Sequence, residues 1–244
     1  MYITNGQRKD GFGAQLLNLI WDIIFAEEYG NEFVYSDIDS MEHNYDNDPN
    51  YINKLIEYTN IKKHYLTFNK IKKLQPLYQH VHYAMRDFIE ADIERYYTGE
   101  SFKRFKKNFL EDKINPYSPS FINVAVHIRR PNKVDPEGTK GTNLADGYYL
   151  QLINAIRAYS SKEKPFLFHI YSQGDLAKFT EYKAPDVIFH LDTDLCDTFT
   201  GLVFGDILVT SASALSYCAA LLSSGTVYYV KFWHPPMKHW TVIG

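Results

Sequence analysis

Val124-Ala125-Val126-His127-Ile128-Arg129-Arg130 is the stretch on which the reading of the chain turns. Its apolar, β-favouring residues read as a buried strand, and an uninterrupted apolar run is the pattern of a parallel strand covered on both faces. The strand delivers a histidine and two adjacent arginines to its carboxyl end. Open α/β sheets bind ligands just beyond that end. A guanidinium there suits an anion, because its planar donor fork matches phosphate oxygens two at a time.

Outward from this strand the C-terminal half is regular. Ile122–Ile128 is followed by a glycine-containing loop, residues 131–147, and a helix to about Tyr159. Strands are expected at Phe166–Tyr171, Val187–His190, Ile207–Thr210 and Val227–Val230, the last of them closing the sheet. Helices are expected near Asp175–Tyr182, near Cys196–Phe204 and at Ala214–Leu222. Five strands alternating with helices predict a Rossmann-like domain with right-handed crossovers.

The N-terminal half begins with a strand, Tyr2-Ile3-Thr4, and a polar loop ending in Asp10-Gly11-Phe12-Gly13. A helix over Ala14–Tyr29 and a strand at Glu32–Ser36 complete a β-loop-α-β start. Asp37–Asn50 lacks an apolar period and reads as loop. From about Tyr51 to Leu110 the chain reads as mostly helical, an insert rich in Lys, Tyr and Phe. Asn115-Pro116-Tyr117-Ser118-Pro119-Ser120 is the clearest linker. The expected domains are 1–116 and 117–244.

Composition narrows the function. The 244 residues are 45% hydrophobic and 23% charged, ordinary for a globular protein. A formal net charge of -3 argues against nucleic acid as a partner. The basic run Lys103-Arg104-Phe105-Lys106-Lys107 reads as the solvated face of a helix. No stretch reaches the roughly 18 apolar residues that a membrane span needs. Cys196 and Cys218 lack metal-site spacing and read as two buried thiols in a reducing compartment. The expected location is therefore cytoplasmic or otherwise soluble intracellular.

Two further strand ends carry polar residues. Thr210-Ser211-Ala212-Ser213-Ala214 opens a helix, so Ser211 and Ser213 either cap it or meet an anion at its N-terminus. Tyr171-Ser172-Gln173-Gly174-Asp175 is either a turn into a helix or the border of a ligand. The acidic triplets Asp37-Ile38-Asp39 and Asp192-Thr193-Asp194 have the form of a divalent-cation pair that holds a diphosphate. That form is also frequent in solvated loops.

Taken together, these segments resemble the α1,2-, α1,6- and protein O-fucosyltransferase superfamily. His127-Ile128-Arg129-Arg130 resembles its HxRR segment. Asp206 to Leu222 is similar to its later strand–serine–helix motif, Phe168-His169-Ile170-Tyr171-Ser172 to its intervening strand, and Gly11-Phe12-Gly13-Ala14-Gln15-Leu16 to its glycine loop. The resemblance implies an α/β, GT-B-like architecture: two Rossmann-like domains facing across a cleft, the N-terminal one with the helical insert. It implies inverting transfer of a sugar from a nucleotide-diphosphate donor to a glycan hydroxyl, with no cofactor and no obligatory metal. GDP-sugars rank first as donors and UDP-sugars second. Fucose ranks first among the sugars, with others such as xylose open.

Carried onto this chain, Arg129 would hold the donor diphosphate and stabilise charge on the departing nucleotide. His127 and Arg130 would support that site. Ser211, Ser213 and Ala214 would meet the phosphates, Ser172 and Asp175 would border the nucleoside, and Gly11 and Gly13 would form the glycine loop. Asp10 is the candidate general base, with Asp135 and Asp37 as alternates. Tyr45, Tyr51 and Tyr78 are candidates to line the acceptor. The sequence departs from the pattern at Ala14, which stands for the usual Asn. It departs again at Pro131-Asn132-Lys133-Val134, which delays the acidic residue after HxRR to Asp135. Two other readings stay open: a metal-dependent GT-A-type transferase using an Asp-x-Asp pair, and a catalytically degenerate module that binds a nucleotide or glycan.

Overall fold

The computed structural model describes residues 2–44, 46–68, 78–79, 82–130, 145–159 and 164–243. The chain divides into two compact units, Met1–Lys113 and Ile114–Gly244. Both are α/β with a wholly parallel sheet, as a pair of Rossmann-like domains requires.

The N-terminal unit starts with β1 (Tyr2–Thr4), α1 (Phe12–Glu28) and β2 (Glu32–Tyr35). Gly11 caps α1 in extended conformation, so the helix begins two residues before its expected start at Ala14. Nearly every turn of α1 is buried, with Leu16, Leu17, Ile20, Trp21 and Ile24 in the core. Trp21 Nε1 donates to Tyr97 Oη at 2.9 Å, which satisfies the one polar atom of that indole.

The insert holds α2 (Tyr51–Tyr58), α3 (Ile61–His64), β3 (Leu66–Thr67), β4 (Tyr78–Gln79), α4 (His82–Glu90), α5 (Ile93–Thr98) and α6 (Glu100–Leu110). It is thus not wholly helical: β3 pairs with β2 and β4 with β1, giving the order β3-β2-β1-β4 among the described residues. Two-residue strands carry no alternation that a sequence pattern can register. On α6, Phe102, Phe105 and Phe109 are buried while Lys103, Arg104 and Lys107 face solvent, as expected of the basic run, but Lys106 is half-buried.

The C-terminal unit runs β5 (Ile122–His127), α7 (Asp146–Ala158), β6 (Phe166–Ser172), a 3-10 helix at Leu176–Tyr182, β7 (Val187–Leu191), α8 (Leu195–Phe204), β8 (Ile207–Val209), α9 (Ala214–Leu222), β9 (Thr226–Val230) and β10 (Thr241–Ile243). The order is β10-β9-β8-β5-β6-β7. Val227–Val230 is therefore not the last strand. A sixth, Thr241–Ile243, pairs with β9 after an aromatic and proline-bearing segment that hides its short pattern. Val124, Val126, Phe168, Ile170 and Val209 fill the core beneath α7 and the 3-10 helix. Cys218 is buried but Cys196 is half-buried at the start of α8, which corrects the reading of two buried thiols.

Candidate active site

Numbered within their own unit, the six C-terminal strands follow the order 3-2-1-4-5-6. This order reverses direction between β5 and β8, and the crevice at that switch point is where doubly wound sheets take their ligands. β5 ends in His127 and leads into Ile128-Arg129-Arg130. β8 ends at Val209 and leads into Thr210-Ser211-Ala212-Ser213. The register Val126↔Val209 brings the two ends level. The arginine pair and the serine turn thus border the same crevice.

Beneath it lies a buried polar cluster. Ser211 Oγ is 2.9 Å from His127 Nδ1 and 3.1 Å from Ser216 Oγ, and Ser216 Oγ also meets His127 Nδ1. The Ser211 N–H donates to Ser216 Oγ at 3.2 Å. Burial, with the neighbouring Arg129 charge adding to it, pushes His127 down to about 3. The imidazole is therefore neutral, and both serine hydroxyls lie against its Nδ1. The ring ties the end of β5 to the serine turn and the first turn of α9 without bringing a second charge next to Arg129.

The two arginines have different surroundings. Arg130 is held by the Asp146 carboxylate and lies over the Phe179 ring, its Cζ 5.0 Å from the centroid. Tyr182 Oη donates to the same carboxylate at 2.8 Å. Arg130 thus joins β5 to α7 and the 3-10 helix, a supporting position. Arg129, half-buried, follows Ile128 at the strand end. The turn after β8 is fixed on its far side too, since Thr210 Oγ1 accepts the Val230 N–H at 2.8 Å.

The serines divide in the same way. Ser211 faces inward to the cluster, so its hydroxyl organises the turn. Ser213 caps α9, its Oγ accepting from the Leu215 N–H at 3.3 Å. Ala214 is the half-buried first residue of the helix. The N-terminus of α9, with its partial positive charge, is the part of this turn suited to phosphate. Ser172 is also buried and donates to the Ile128 carbonyl at 2.7 Å, locking β6 to the strand end of β5. Asp175 is exposed and caps the 3-10 helix through the Ala177 N–H at 2.8 Å.

In the N-terminal unit, Asp10, Gly11 and Gly13 follow β1. Its sheet has its own switch point between β1 and β4. Asp10 is half-buried and paired with Arg8, and Gly13 is buried in the first turn of α1. A Cβ on Gly11 would lie 2.4 Å from His43 Cδ2, so only glycine leaves the imidazole its place. Of the other candidates, Asp37 pairs with Lys62 at 2.7 Å. Asp135 and Tyr45 lie outside the described residues, as does the side chain of Tyr78; Tyr51 opens α2.

The second acidic triplet, Asp192-Thr193-Asp194, serves the backbone. Asp192 accepts the Gly174 N–H at 3.1 Å, and Asp194 caps α8 through the Cys196 N–H at 2.9 Å. Ser216 and Asp146 escaped the sequence reading. Ser216 was legible only as the third residue beyond a capping serine, and Asp146 only as an acidic residue in a first turn.

No protein-family profile and no curated protein sequence matches the chain. Solved structures similar to it include a NodZ α-1,6-fucosyltransferase soaked with GDP-fucose, at TM-score 0.48 and 12% identity over 91% of this chain and 92% of that one. A second is fucosyltransferase NodZ from Bradyrhizobium, at TM-score 0.49, 12% identity and the same coverage. A third is POFUT1 in complex with GDP, at TM-score 0.28 and 13% identity over 90% of this chain and 70% of that one. Among the described residues no helix is long and apolar enough to cross a membrane.

Proposed function

We propose that the chain is an inverting, metal-independent glycosyltransferase moving a sugar from a nucleotide-diphosphate donor to a glycan hydroxyl. GDP-fucose ranks first among the donors. The observation that carries this reading is the convergence of His127-Ile128-Arg129-Arg130 and Thr210-Ser211-Ala212-Ser213 on the switch point between β5 and β8. Two cysteines, Cys196 half-buried and Cys218 buried, suit a reducing, intracellular setting.

In this reading the donor diphosphate lies against Arg129 and the N-terminus of α9. The acceptor oxygen attacks the anomeric carbon as the bond from that carbon to the diphosphate oxygen breaks, inverting the centre. Negative charge grows on the departing diphosphate, where a preorganised guanidinium stabilises it most. Asp10 takes the proton of the attacking hydroxyl. Arg130, His127, Ser211 and Ser172 hold the strand ends in place, Ser213 and Ala214 present the helix terminus, Asp175 borders the nucleoside, and Gly11 and Gly13 shape the loop after β1.

Replacing Arg129 by Ala is expected to lower turnover roughly 10²–10³-fold, the effect of removing one donor from a developing charge. The urea midpoint should stay near that of the parent chain. Near-normal transfer by the folded variant would remove Arg129 from the mechanism.

A further inference from the structure

A cavity of about 400 Å³ lies in the C-terminal unit and is lined by Tyr229, Lys231, Phe232, Trp233, His234 and Val242, among others. None of these residues enters the phosphate site. The cavity nevertheless neighbours it in the sheet. β9 pairs with β8 in the register Val209↔Tyr228, and the Val230 N–H donates to Thr210 Oγ1. The segment after β9 therefore leaves the same carboxyl edge as the serine turn, about 4.8 Å away across one strand spacing.

Its dominant surface is one indole. Trp233 is 73% exposed, a large apolar ring left in water. It is also backed by a stack of rings. The Phe232 ring lies 4.3 Å from it, centroid to centroid, at 30°. Phe232 meets His234 edge-on at 5.3 Å, and His234 packs on Tyr217 at 4.9 Å. Tyr229 Oη donates to the His234 carbonyl at 2.6 Å, fixing the turn that carries the platform. An exposed aromatic face already held in position loses little entropy when a ligand covers it.

The chemistry of the lining selects the ligand. A single lysine and prolines surround the indole, without the donor cluster that a phosphate needs. A planar base would ask for a matching polar edge as well as a stacking face. A pyranose ring has one face of C–H groups and a rim of hydroxyls. It can cover the indole, donate to and accept from the rim, and keep its other face in water. We propose that this cavity binds a pyranose ring of the glycan acceptor. The assignment of that ring to the acceptor rests on the transferase reading; the binding of a pyranose does not.

The test is a tryptophan-fluorescence titration of the whole chain with the methyl glycosides of glucose, galactose, mannose and N-acetylglucosamine, alongside thermal shifts with GDP. Trp21 and Trp240 are buried, so Trp233 is the indole that a ligand can cover, and Trp233→Ala shows whether a saturable spectral shift arises there. At least one glycoside should give that shift. By calorimetry, Trp233→Ala should weaken binding about tenfold or more, as loss of a stacking ring does, while Trp233→Phe should keep most of the affinity. The GDP response should be the same in all three proteins. No glycoside response in the parent chain, or an undiminished affinity in Trp233→Ala, overturns the proposal. So does a GDP response lost in Trp233→Ala, which would give the cavity to the nucleotide. Glycoside binding at Trp233 with no nucleotide response anywhere would keep the cavity and defeat the transferase reading.

Discussion

His127 is the residue on which the C-terminal site is built, and it works by staying neutral. Burial pushes it to about 3, and burial with the neighbouring His190 pushes His169 to about 4. In the unfolded chain both return to about 6.5. The folded state therefore binds fewer protons between these limits. The stability the two rings contribute is complete above about pH 6.5 and is lost as pH falls toward 4 and then 3. Urea unfolding between pH 7.5 and 4.5 should show this, and His169→Gln should flatten the fall; equal slopes in the two proteins would contradict it. The sequence made the residue types at the strand end legible, because a long apolar run announces where it stops. It did not reveal that Ser211 turns inward or that Ser216 completes the cluster, since the direction of a side chain in a turn depends on tertiary partners. Arg130 was legible as a cation, but its tie to Asp146 joins residues 16 apart in the chain.

At the scale of elements, the alternation of apolar strands and helices around Val124–Val126 was enough to read a parallel sheet. Strand order was not in that pattern, yet order is what creates a switch point between β5 and β8. The elements that escaped, β3, β4 and β10, have two or three residues each, too short for any periodicity. The Asp192-Thr193-Asp194 triplet is an element-scale feature as well. Asp194 closes the N-terminus of α8 and Asp192 binds the Gly174 N–H. Asn caps a helix as well as Asp does, whereas Ala at this position costs about 1 kcal/mol. Asp194→Asn is thus expected to leave both stability and donor binding intact, and Asp194→Ala to lower only stability, as read by calorimetric melting and nucleotide titration. A loss of donor binding in Asp194→Asn that Mn²⁺ restores would favour the metal-dependent transferase instead.

At the scale of the whole molecule, two parallel-sheet units each present a loop-bearing carboxyl edge. The proposed reaction assigns Arg129 and α9 to the donor and Asp10 to the acceptor proton. Asp10→Asn should therefore reduce kcat by roughly 10²–10⁴-fold, the usual contribution of a general base, with little change in donor affinity. Unchanged turnover would remove Asp10 from that role. The most direct measurement is the thermal stability of the chain with GDP, UDP, CMP and their sugar conjugates, each with and without EDTA, for the parent protein and Arg129→Ala. A ligand at about 100 times its dissociation constant stabilises by about 2.7 kcal/mol. The account predicts such a shift with a nucleoside diphosphate, unaffected by EDTA and abolished in Arg129→Ala. No shift with any nucleotide, or an equal shift in Arg129→Ala, would contradict it.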